Sequence, residues 1–538
     1  MILKYLVNNT LNETDLNNEY VEIFSESDNN RQIIKVKALK DIELVEARIN
    51  EKLNITKDDL IFFNGYQSWT ETKENYVTEK ERNIKKAPKG IVKKFGLDRY
   101  GDSILYNYHK DNLHGYDVFY IKGKESLFSF NNNFNNAWLI YELNKKTNVL
   151  TIISDVNNIS LKAGEEFVAY DYYLFNNYEE GLNKFNELFP KKNLNKVFGY
   201  TSWYNYYQDI NESIILRDLD AIDSRFNLFQ IDDGYETFVG DWMDVDPKKF
   251  PNGLKPIVDK IHSKGLKAGV WLAPFVAETK SKIFREHKDL LKKDKNGNFV
   301  SCGGNWSGFY CLDFENEKAR EYVKKSLEYF IDLGFDFFKL DFLYATALEP
   351  LTGMTRCQTQ NYTYDFLKDV LKGKMVLGCG ANIINCYNRF DYLRIGADVT
   401  LIFDDVWFMR KLHRERISTK MSLQNTIYRS FMNDRLFGND PDVFLLRDNN
   451  MKMSKEQRKS LVTINSLFGT VLMTSDNIAD YDEEKKELLA KAFDLFYNGK
   501  VLSFERRKDN ILISYELNNK KVDLVYNTNK GVFIGGQE

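Results

Sequence analysis

Apolar and polar residues alternate with a period of two through the first third of the chain. RQIIKVKAL (31–39), SILYNYH (103–109), DVFYIKG (117–123), SLFSFN (126–131), NAWLIYEL (136–143) and VLTIIS (149–154) follow this rhythm, with Asn, Asp, Gly and Lys between them. Such alternation predicts strands with one buried face, and their number predicts an N-terminal antiparallel β-sandwich over residues 1–178. A helical stretch, YEEGLNKFNELF (178–189), and the polar break PKKNLNK (190–196) then mark a boundary.

Beyond it the rhythm becomes apolar strand, loop, amphipathic helix, repeated. The predicted strands are KVFGYTSWY, NLFQIDDGY, KAGVWLAPF, FDFFKLDF, MVLGCG, YLRIGAD, DVFLL and TVLMTS; helices such as PIVDKIHSKG, KAREYVKKSLEYFIDLG and YTYDFLKDVLKG separate them. Eight such units predict a central (β/α)8 TIM barrel within 179–498, including the linker helix. Alternation returns in VLSFERRK, NILISYEL and KVDLVYN, which predicts a small C-terminal β-domain over 499–538. The expected class is therefore multidomain α/β. No repeat of 20 to 50 residues is present, which excludes solenoids and propellers.

Charge narrows the partners. Lysine plus arginine (75) nearly cancels aspartate plus glutamate (78), so the net charge of -3 offers nothing to nucleic acid or an anionic membrane and suits a neutral substrate. Tyr (32), Phe (39) and Trp (7) supply flat amphipathic faces of the kind sugar rings pack on, although most aromatic residues in any chain are core. The five cysteines are odd in number and lack metal-ligand spacing, which argues for reduced thiols and a cytoplasmic setting. The N-terminus, MILKYLVNNTLNETD, reads as a first strand rather than a signal peptide, and no apolar run reaches about 18 residues.

In α/β barrels reactive groups sit at the C-terminal strand ends. Those ends here carry Trp203 and Tyr204, Asp232 and Asp233, Trp271, Lys339 and Asp341, Cys379, and Arg394 and Asp398. A single Asp after a strand is as often a cap or turn former. Six such ends combining carboxylates, a lysine, a thiol and tryptophans describe a pocket better than capping does. Asp341 and Asp398 end strands that are neighbours but one, which sets their carboxyls roughly 5 to 10 Å apart, the range used to cleave glycosidic bonds. Lys339 and Asp341 lie two apart, so the ammonium is expected to hold Asp341 ionised. Arg394 would oppose a protonated Asp398 if it touched it. Asp232 and Asp233 suit two vicinal hydroxyls, and no phosphate loop or HExxH motif accompanies them, so neither cofactor nor metal is expected.

These motifs together resemble glycoside hydrolase family 36, the α-galactosidases of clan D, in a compact bacterial form. The resemblance runs through NGYQSW (64–69), GYTSWY (199–204), FQIDDGYE (229–236), GDW (240–242), FP (250–251), GVWLAPF (269–275), FKLDF (338–342), LGCG (377–380) and RIGAD (394–398). It implies a retaining exo-α-galactosidase acting by double displacement, with Asp341 as nucleophile and Asp398 as acid/base. It further implies substrate binding by Trp69, Trp203, Tyr204, Asp232, Asp233, Trp271, Lys339, Cys379 and Arg394. Plain interdomain packing is the alternative for Trp69, and a core thiol the alternative for Cys379. The implied partner is a galactose-containing oligosaccharide or glycan, and a homo-oligomer is compatible with the resemblance. RIGAD departs from the long members' sequence around the acid/base, so their assembly and substrate range do not carry over. Competing readings are an α-N-acetylgalactosaminidase, a raffinose-synthase-like galactosyl transferase and an inactive sugar-binding protein.

Overall fold

The computed structural model describes residues 1–535. Residues 536–538 of the expected C-terminal unit lie outside the described residues.

The N-terminal region forms two seven-stranded antiparallel sheets. The alternation that predicted them is visible in their burial: along Arg31–Ala38 every second residue of the latter half is buried, with lysines between. Leu3, Leu44, Tyr141 and Ile152 from one sheet and Val36, Phe119 and Ala169 from the other meet in one apolar cluster. One expected strand is absent. SILYNYH (103–109) is a turn, because the Leu105 and Tyr106 amides fold back onto the Asp102 carbonyl at 2.8 and 2.7 Å. Its alternating tyrosines serve instead to surround His114, which Tyr106 stacks on at 3.7 Å.

A parallel sheet follows, built of β1 (Val197–Thr201), β2 (Leu228–Ile231), β3 (Lys267–Leu272), β4 (Phe337–Leu340), β5 (Met375–Gly378), β6 (Tyr392–Arg394), β7 (Gly438–Asp440 and Val443–Phe444) and β8 (Val471–Thr474). These strands are buried along nearly their whole length, as expected where helices cover a parallel sheet, and this is why they read as unbroken apolar runs. The sheet is curled. Gly438–Asp440 pairs with β6 while Val443–Phe444 pairs with β8, so the strand order starts and finishes on one stretch of chain. Pro441 has no N–H to give, and Asp442 adopts a left-handed φ of 80°, which is why that stretch splits in two. The first half, GND, was not predicted as a strand; DVFLL was, and it contributes only its Val-Phe.

Parallel register brings the strand ends level: Trp271 on β3 lies beside Lys339 on β4, and Lys339 beside Leu377 on β5. After β3 the chain makes an unpredicted three-stranded sheet, Val276–Glu278, Ser301–Gly303 and Phe309–Cys311. A four-stranded antiparallel sheet over Lys500–Arg507, Asn510–Leu517, Lys520–Asn527 and Val532–Phe533 ends the described chain. All five cysteines are buried and free. Among the described residues no helix is long and apolar enough to cross a membrane.

Candidate active site

A cavity of about 630 Å³ opens at the C-terminal ends of β1 to β4 and β6. Eight of the eleven residues singled out from the sequence line it: Trp69, Trp203, Asp232, Asp233, Trp271, Lys339, Asp341 and Asp398. Tyr204, Cys379 and Arg394 are buried but absent from that lining. They stand behind the wall and hold residues that are on it.

Asp341 follows β4 directly. Trp271 Nε1 donates to its Oδ2 at 3.0 Å, and the Phe342 amide donates to its Oδ1 at 2.8 Å. That second bond depends on an unusual backbone. Phe342 sits at φ 53°, ψ 34°, a left-handed conformation costing a residue with a side chain about 1 kcal/mol. Its ring is locked among Trp69, Trp306 and Phe309, with centroids 5.1 to 5.2 Å away, and this packing offsets the strain.

Lys339 does not pair with Asp341 as expected. Its ammonium is bonded to Asp232 Oδ2 at 2.8 Å. The side chains of consecutive inward positions share a face, but Asp341 lies past the strand, and the turn at Phe342 redirects the chain there. Burial works against the lysine's charge; the attraction of Asp232, and more weakly of Asp341, outweighs it and holds the ammonium above its ordinary value. Asp232 also accepts from Gln230 at 2.7 Å, and its other oxygen accepts from the Asp233 amide at 3.0 Å. Asp233 accepts from Gln208 at 3.0 Å and from Trp306 Nε1 at 2.9 Å. Its burial pushes its carboxyl up from the usual range, opposed by hydrogen bonds from Glu236, Gln208 and Trp306.

Asp398 is the other carboxylate at the cavity, and 35% of its side chain remains open. Arg394 does touch it, Nη1 to Oδ1 at 2.9 Å. The guanidinium is shared, however: its Nε donates to Asp440 at 3.0 Å and its Nη2 is ion-paired with Asp442 at 2.8 Å. The surrounding protein desolvates Asp398 and pushes its carboxyl up; Arg394 and Lys339 pull it down, Asp341 adds to the rise, and the rise prevails. Tyr204 donates to Asp442 at 2.5 Å, so its hydroxyl is committed to the network under Asp398.

Trp69 reaches the cavity from the N-terminal region. A fully buried arginine, Arg429, ties down its loop by donating to Asn64 Oδ1 at 3.0 Å, the Ser68 carbonyl at 2.7 Å and the Ile395 carbonyl at 2.8 Å. The Trp69 indole then donates to Cys379 Sγ at 3.4 Å. Gly380, at φ 58°, is needed beneath it, since a Cβ there would lie 2.9 Å from the indole. Trp69 therefore lines the cavity and packs two regions together.

Sequence reasoning passed over Trp306, Arg429, the helix α1 (Lys89–Phe95), whose Ile91 and Phe95 line the cavity, and the lining residues of the 405–417 segment. Only the clustering of aromatic and glycine residues in GGNWSGFY (303–310) could have pointed to Trp306. Among the described residues no group of three or more His, Cys, Asp or Glu is arranged to hold a metal ion.

Residues 186–413 match the profile of the glycosyl hydrolases family 31 TIM-barrel domain. The match spans the parallel sheet from β1 to β6, at whose strand ends the carboxylate-lined cavity lies. Among curated relatives, α-galactosidase 1 of Pediococcus pentosaceus is 27% identical over 219 residues, covering 36% of this chain and 29% of that protein. The α-xylosidase XylQ of Lactiplantibacillus pentosus is also 27% identical, over 198 residues, 34% of this chain and 25% of the relative. The chain thus aligns with less than a third of the length of either. The fold is shared more widely than the sequence: an α-galactosidase of Thermus thermophilus, solved with p-nitrophenyl α-D-galactopyranoside, superposes with a TM-score of 0.71 over 93% of this chain and 99% of that one at 22% identity.

Proposed function

We propose that this protein is a retaining exo-α-galactosidase of the family 36 type, releasing terminal α-linked galactose from oligosaccharides or glycoconjugates. The curled sheet is then a closed (β/α)8 barrel between an N-terminal sandwich and a C-terminal β-domain. One observation carries the reading: a carboxylate fixed by an indole and a backbone amide, Asp341, shares a cavity with a carboxyl whose proton affinity is raised, Asp398.

Asp341 attacks the anomeric carbon while Asp398 gives its proton to the leaving oxygen; the resulting galactosyl-aspartate is then hydrolysed by water that Asp398 deprotonates. The electrostatics favour this exchange of roles. Asp341 contributes to the raised proton affinity of Asp398. Once Asp341 is esterified its charge disappears, so Asp398 becomes more acidic when it must act as a base. Asp232, Asp233 and Lys339 bind the ring hydroxyls, and Trp69, Trp203 and Trp271 enclose the ring.

A second reading, an α-xylosidase, is favoured by the family 31 barrel match and the likeness to XylQ. Turnover of aryl α-galactoside, α-xyloside and α-N-acetylgalactosaminide decides among the sugars, with the anomer of the first-formed product read by NMR. The expectation is fastest cleavage of the galactoside with retention. The alkaline limb of its rate should lie above the ordinary carboxyl range, because the first step needs Asp398 protonated and its affinity for that proton is raised. Faster cleavage of the xyloside, or an inverted product, would overturn the corresponding part of the proposal.

A further inference from the structure

The inner and outer ends of the cavity differ in chemistry. Asp232, Lys339, Asp341 and Asp398 make the inner end strongly polar. Apolar side chains about half exposed among the described residues line its outer part. The helix α1 presents Ile91 and Phe95 to it, four residues apart and therefore on one helical face. They are 49% and 51% exposed, and α1 has no buried residue at all, so this helix is not held in place by a core of its own. Phe408 and Ile417 line the same cavity and are 52% and 57% exposed. Isolated apolar residues at a surface are ordinary, but two half-exposed pairs that line one cavity with Asp341 and Asp398 mark a binding surface.

Resting on the galactosidase reading, we propose that the mouth is a leaving-group site for an apolar aglycone. An alkyl chain or aromatic ring system lies against Ile91, Phe95, Phe408 and Ile417. The preferred substrates are then galactosides of apolar alcohols, as in glycolipids, rather than galactosyl oligosaccharides, whose second sugar has less apolar surface to bury.

The test compares kcat/KM for methyl and octyl α-galactoside, both below the concentration at which octyl chains form micelles, and for melibiose. A fully buried methylene is worth about fourfold, so partial burial of the seven extra ones is expected to favour the octyl compound by at least about tenfold. The double variant F95S/F408S is expected to collapse that octyl-to-methyl ratio towards one. Equal turnover of methyl and octyl galactosides, or a ratio untouched by the double variant, would overturn the leaving-group site while leaving the galactosidase reading intact. No turnover of any galactoside would sink both readings, a different result. A wild-type dimer in sedimentation that F95S/F408S converts to a monomer would assign the patch to a second copy of the chain and overturn the proposal as well.

Discussion

Two regions of this molecule bury charge, and they do so in opposite ways. In the N-terminal region His114 is fully buried between Glu81 and Asp102, each 2.7 Å from one ring nitrogen. Tyr108 donates to Asp102 at 2.6 Å and Arg414 to Glu81 at 3.0 Å, so the charged groups meet partners on every side. At the cavity, Asp341 has two donors and Asp398 one side-chain partner, and both keep an opening towards the cavity. Saturated charge is structure, since removing a member strands its partners. Charge left partly unsaturated beside an open cavity is held ready for a ligand, and there stability and function part company.

The sharpest way to break this comparison is Asp341→Asn. Turnover of the aryl galactoside is expected to fall by at least about a thousandfold, some 4 kcal/mol of transition-state stabilisation, while the thermal midpoint holds or rises. A variant with wild-type rates would remove Asp341 from the chemistry. A variant that unfolds would place it with His114 as a structural charge.

His114→Gln should do the reverse, costing about 3 kcal/mol or more of stability with the cavity chemistry still measurable. The wild type carries its own control in pH. Burial lowers the proton affinity of His114, but Glu81 and Asp102 outweigh this and raise its pKa from 6.5 to about 9. A raised value means that the folded state binds the proton more tightly. Its stabilisation, about 3 kcal/mol, is complete below pH 6.5 and is lost as pH rises through 9. Denaturant melts between pH 6 and 10 should show this fall, and it should be much smaller in His114→Gln; equal slopes would refute the assignment.

The smallest effect is expected at Trp306→Phe, which keeps the aromatic packing and deletes only the 2.9 Å bond to Asp233. The loss is about 1 kcal/mol, a several-fold drop in kcat/KM taken mainly in KM if Asp233 binds a ring hydroxyl. An unchanged KM with a lowered kcat would give Asp233 a role in the chemical step instead.

Much of this site was legible before folding. An apolar run that ends on Asp is a local pattern, so Asp232, Asp233, Asp341 and Asp398 could be found from their strands alone, and they all reach the cavity. Pairings across the sheet were harder. Lys339 was matched with Asp341 by spacing, yet it bonds Asp232, more than a hundred positions away and one strand over but one. Arg394 was expected at the sugar, but three carboxylates from β6, β7 and their loops use its donors. Trp306 carries no periodic signal because it sits in a turn of the small sheet after β3, at φ 53°.

Sequence by itself determined most of the parallel strands and which strand ends are polar, because periodicity and strand-end chemistry are written over a few residues at a time. Tertiary structure alone decided which charges are spent and which remain open. That is a matter of three-dimensional saturation: Asp398 keeps an open face while Asp440 and Asp442, on the same guanidinium, are buried beneath it. No local pattern distinguishes these three aspartates; only their position relative to the cavity does.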